Sequence, residues 1–75
     1  MRERWAGEVC IVAATKDSQT EYWAAATGRE EAVAAVRKLL APGWTATLTD
    51  RRISPKQIAV LHLPPNGVRK LRYVP

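Results

Sequence analysis

The order of elements written into this chain is strand, strand, helix, strand, helix. It predicts an α+β fold: a three-stranded antiparallel sheet with one main helix packed on a face and a short capped second helix. Three observations carry that prediction. β-Branched residues mark a strand before an early turn, an apolar stripe at helical spacing follows Thr27, and a second helix-start pattern stands at Ser54.

Residues 5–15, Trp-Ala-Gly-Glu-Val-Cys-Ile-Val-Ala-Ala-Thr, read as the first strand. Lys16-Asp-Ser-Gln19 has turn chemistry, and Thr20 to Ala26 reads as the returning strand. With Thr15 opposite Thr20, Val9, Ile11 and Ala13 share a face with Tyr22, Ala24 and Ala26. Glu8, Cys10, Val12 and Ala14 then share the other with Glu21, Trp23 and Ala25. Both faces are largely apolar. Each therefore needs a cover: a helix on one side, and the C-terminal segment or a second subunit on the other.

Thr27-Gly-Arg-Glu30 has the capping-box spacing, and a helix is expected from about 28 to 41. Ala32, Val33, Val36, Leu39 and Leu40 recur at steps of three and four and form its apolar stripe. Glu30 and Glu31 lie at its positive end and Arg37 and Lys38 at its negative end, as the helix dipole favours, before Pro42-Gly43 stops it. Trp44 to Thr49 alternates, with Trp44, Ala46 and Leu48 on one side and threonines on the other, which describes a third strand with one wet face. Ser54-Pro-Lys-Gln57 is a second capping box with proline at the first helical position, and Ile53 and Ile58 are spaced for a hydrophobic staple. About two helical turns follow, ended by Pro64-Pro65. Val68 to Val74 fits either a strand after an Asn66-Gly67 turn or a helical turn capped by Asn66. A right-handed crossover through the main helix places the third strand beside the first, antiparallel to it, so the first strand is central.

Ser54 to Leu71 also partly resembles a helix-turn-helix unit. The Ser54-Pro-Lys-Gln-Ile-Ala59 opening and the later Val68-Arg-Lys-Leu71 are similar to the two helices of such DNA readers. The resemblance spans about a quarter of the chain and implies a recognition helix beginning at Asn66. It departs from the motif in lacking the turn glycine, in being one residue short, and in carrying Pro64-Pro65 at the join.

A chain of 75 residues is expected to form one compact domain over 1–75, since a second core would not fit. At 47% hydrophobic residues, with Trp5, Trp23 and Trp44, it has the composition of a folded protein. Its single Cys10 leaves no internal disulfide, and one cysteine with one histidine makes no structural zinc site. Packing or a homodimer must then supply stability. There is no long apolar run and no signal-peptide pattern, so a cytoplasmic protein is expected, without a membrane partner. Abundant alanine and a preference for arginine over lysine suggest a GC-rich bacterial or phage coding bias, which would account for part of the positive charge.

Charge is sorted along the chain. Residues 1–36 carry four bases and six acids, a balance of −2, and residues 37–75 carry eight bases against Asp50 alone, a balance of +7, together the net +5 of the chain. Such an imbalance attracts a polyanion. The candidate binding residues are Arg51, Arg52, Lys56, Arg69, Lys70 and Arg72, with Trp23 and Tyr73 as candidate contact aromatics. Arg51, Arg52 and Lys56 flank the start of the second helix, where backbone donors suit a phosphate.

Catalysis has little support. Glu30 and Glu31 diverge by about 100° around a helix. His62 falls near a helix end, Cys10 lies in mid-strand, and no phosphate-cradling loop, nucleophile elbow or metal-ligand spacing occurs. The expectation is a non-enzymatic binding module with no cofactor and no metal, whose partner is nucleic acid held mainly through phosphates. The alternatives are a protein-binding inhibitor or adaptor of a nucleic-acid-handling complex, or a structural homodimer. Phage-encoded anti-CRISPR proteins are similar to this chain in size and charge alone.

Overall fold

The computed structural model describes residues 8–75, in which the elements are β1 (Cys10–Lys16), β2 (Gln19–Ala25), α1 (Arg29–Arg37), β3 (Thr45–Leu48), α2 (Pro55–Leu61) and β4 (Val68–Lys70). The part of the first strand expected over residues 5–7, Trp5 included, lies outside the described residues. The sheet is antiparallel, in the order β3-β1-β2-β4. The α+β class stands, and the expected three strands become four.

β1 and β2 form a hairpin in which Thr15 faces Thr20. Asp17 takes the left-handed conformation (φ 54°), a positive φ that lets a two-residue turn follow the twist of its strands. That register sorts the apolar side chains onto two faces, and both are covered. On one face Cys10, Val12, Ala25 and Ala46 pack with Ala32 and Val36 of α1, joined by half-buried Trp23 and Val68. On the other, Val9, Ile11, Ala24 and Ala26 pack with Ile53, Leu61, Leu63 and Leu71, joined by Tyr22 and Ile58. Within this monomer, α2 and the C-terminal segment supply the second cover.

α1 is shorter than its apolar stripe implies. Its regular turns end at Arg37, and Leu39 and Leu40 donate instead to Val36 and Arg37, three residues back. Those tightened turns rotate the stripe, leaving Leu39 58% exposed. The capping box expected at Thr27 is also absent. Gly28 is the N-cap, and the Thr27 hydroxyl, buried, donates to the Gly28 carbonyl at 2.9 Å. The second box is formed as expected: the Ser54 hydroxyl accepts from the Gln57 N–H (3.2 Å), and the Gln57 side chain accepts from the Ser54 N–H (3.1 Å). α2 stops at His62, which is left-handed (φ 51°) and exposed, ahead of the two prolines.

The tail resolves as a strand. Asn66, left-handed at φ 66°, turns the chain back, its N–H donating to Ala26 O while Ala26 N–H donates to Gly67 O, both at 2.8 Å. Val68, Arg69 and Lys70 then pair with Ala25, Ala24 and Trp23. The implied recognition helix is therefore replaced by β4, and the helix-turn-helix resemblance does not extend to the fold.

Candidate functional site

β4 is short because the chain leaves the sheet soon after it begins. Leu71 donates to Tyr22 O at 2.8 Å, and beyond it residues 72–75 diverge from β2, so Thr20 and Glu21 have no strand partner on that side among the described residues. The divergence opens a cleft of about 1020 Å³, bounded by Thr20, Glu21, Tyr22, Leu61 and residues 69–74. Its size is at the upper end of the range for ligand pockets, about 300–1,000 Å³.

Arg69 and Arg72 are exposed on this cleft and form no ion pair among the described residues. Lys70 also borders it, but its Nζ lies 2.9 Å from the Glu21 carboxylate. Because Lys70 stands opposite Trp23, Glu21 is its diagonal neighbour on the same face, within reach of a long side chain. Arg51 adjoins the cleft from behind Tyr22. Its guanidinium lies 5.0 Å from the ring centroid and donates to Pro75 O at 2.8 Å.

The other two candidate bases stand apart. Arg52 donates to Glu8 at 3.1 Å, and Lys56 is exposed on the first turn of α2, away from the cleft. Of the bases expected around the start of α2, Arg51 and Arg52 are engaged elsewhere, Arg51 by the Tyr22 ring and Pro75 O and Arg52 by Glu8. Of the six bases, Arg69, Lys70 and Arg72 border the cleft, Arg51 lies against Tyr22 beside it, and Arg52 and Lys56 are not among its lining residues.

The two candidate aromatics differ as well. Trp23 is half-buried in the packing on the α1 side, its indole N–H enclosed without a hydrogen-bond partner among the described residues. Tyr73 is 40% exposed on the cleft wall. Tyr22 and Glu21 reach the cleft through the pairing of β4 with β2, a long-range contact that the local sequence around either residue does not announce.

A smaller hollow of about 220 Å³ lies beside Cys10, bordered by the Arg52–Glu8 pair and by Arg29 and Asp50, 3.6 Å apart. Cys10 itself is buried, its thiol directed at the Thr27 carbonyl (3.8 Å). Burial pushes that thiol above its ordinary pKa, outweighing the pull of Arg29, with lesser effects from Glu8 upward and Arg52 downward. Among the described residues no group of three His, Cys, Asp or Glu side chains is arranged to hold a metal ion, and no helix is long and apolar enough to cross a membrane.

No family model, curated protein or solved structure matches this chain. Its site must be read from its own residues.

Proposed function

We propose that this protein is a small non-catalytic binding module that holds a nucleic-acid backbone in the cleft between β2 and the departing C-terminal segment. The observation that carries this reading is the pair Arg69 and Arg72, exposed on one cleft with no carboxylate partner among the described residues. Guanidinium forks match phosphate oxygens in two-point contacts. Arg51 adds a third cation beside Tyr22, and the Lys70–Glu21 pair adds little net charge. Contacts of this kind position a backbone and read little sequence.

A salt titration tests the proposal. Affinity for a mixed-sequence oligonucleotide should fall steeply from about 50 to 200 mM salt, and the double variant Arg69→Glu, Arg72→Glu should weaken binding and reduce the salt slope by about 2, one per lost phosphate contact. Affinity that is flat in salt, or unchanged in the double variant, overturns it. The exposed Val74 and Tyr73 beside the cleft favour a second reading, a protein partner seated on the same surface. A salt-insensitive interaction that survives nuclease treatment would select that alternative.

A further inference from the structure

Tyr73 has a setting no other described aromatic side chain shares. Tyr22 has Arg51 against its ring, Trp23 is packed towards α1, and Trp44 is half-buried, whereas Tyr73 is exposed and makes no ring contact or hydrogen bond among the described residues. It also follows Arg72 directly in the run Arg69-Lys-Leu-Arg-Tyr73, of which Leu71 turns into the core while the rest border the cleft. Two arginines without an ion pair among the described residues and an exposed aromatic ring therefore border the same cleft. A strand held by Arg69 and Arg72 has the Tyr73 ring in the same cleft.

We infer that the cleft selects single-stranded nucleic acid, with a base stacked on Tyr73 and the flanking phosphates on Arg69 and Arg72. This rests on the preceding reading of the same cleft and adds the form of the ligand. In a duplex the base faces are hidden in the stack, and exposing one costs unpairing and unstacking, so the ring contributes only when bases are already free. Every base has a π-face, so the preference is for strandedness and not for sequence. The Tyr73 hydroxyl plays no part in stacking.

The test compares three fluorescent probes of equal length on the full chain: an oligo-dT strand, an abasic strand with the same phosphates, and a duplex. The dT strand should bind about tenfold more tightly than the abasic strand. Tyr73→Ala should remove that difference, Tyr73→Phe and Tyr73→Trp should keep it, and the salt slope should be the same in all three variants. Retention by Phe and Trp separates stacking from a folding defect in the alanine variant. Equal binding of dT and abasic strands overturns the stacking role, and a duplex bound as tightly as the single strand overturns the selection, with the backbone reading left standing in both cases. Binding of none of the probes overturns the inference and the backbone reading together.

Discussion

Cys10 is held by its surroundings in the neutral form. It is enclosed between the sheet and α1 with the Thr27 carbonyl as its acceptor, and desolvation raises its pKa above the ordinary 9.0. The sign follows from linkage. Between the ordinary and the raised value the folded state keeps a proton that the unfolded chain has released, so this contribution is complete below about pH 9 and is lost as pH climbs through the folded value. Urea unfolding of the wild type and of Cys10→Ala at pH 8, 9 and 10 should show the wild type losing its advantage with each step. A constant difference would mean that the thiol is as accessible to water as in the unfolded chain. The ion pairs follow a different rule. Arg52–Glu8 and Lys70–Glu21 are solvent-exposed on at least one side, so each adds roughly 0–1 kcal/mol to stability. If the proposed anionic ligand occupies the cleft, each pair also withdraws a cation from it, whereas Arg69 and Arg72 form no ion pair among the described residues.

The two helices show how differently the same capping signature behaves. At α2, Ser54 is exposed, its hydroxyl is free to face the first turn, and Pro55 and the Ile53–Ile58 staple complete the start. Ser54→Ala should cost about 1 kcal/mol, read from the denaturant midpoint. At α1, Thr27 has the same spacing to Glu30, yet it is 4% exposed and its hydroxyl serves the Gly28 carbonyl. The spacing of a threonine and a glutamate does not reveal which of the two will be drawn under the sheet. Strand faces were legible for the opposite reason. With a period of two, pairing Thr15 with Thr20 assigns every residue of β1 and β2 to a side at once. β4 was legible only as one of two alternatives, because three residues carry no periodicity and its conformation is imposed by hydrogen bonds to Tyr22 and Ala26, forty or more residues earlier. The cleft depends on where β4 ends, so Arg69, Arg72 and Tyr73 were legible as a basic and aromatic run while their meeting with Glu21 and Tyr22 was not.

A sheet buried on both faces is demanding for so short a chain. Much of its interior is alanine: Ala14, Ala24, Ala25, Ala26 and Ala32 are fully enclosed, which lets the layers approach closely but leaves few large side chains to drive folding. The second face relies on Ile53, Leu61, Leu63 and Leu71, all from the half of the chain that also carries the positive charge. Leu71 links that core to the cleft, for its side chain is 5% exposed in the core, its N–H is bonded to Tyr22 O, and it stands in the middle of the cleft wall of residues 69–74. Truncating a buried leucine to alanine costs about 2–5 kcal/mol. A domain of this length has a total stability of roughly 4–11 kcal/mol at 0.05–0.15 kcal/mol per residue. Leu71→Ala should therefore consume a large part of it, lowering the urea midpoint far more than Arg69→Glu or Arg72→Glu, whose exposed side chains touch no core. Its nucleic-acid affinity should fall only in proportion to the unfolded fraction if the wall keeps its place, and further if the wall detaches while β1 and β2 remain paired. Hydrogen exchange decides between these outcomes, since detachment would release the Leu71 amide while the amides of Ile11 and Val12 stay protected. An unchanged urea midpoint for Leu71→Ala would show that the C-terminal segment is not needed to close the second face.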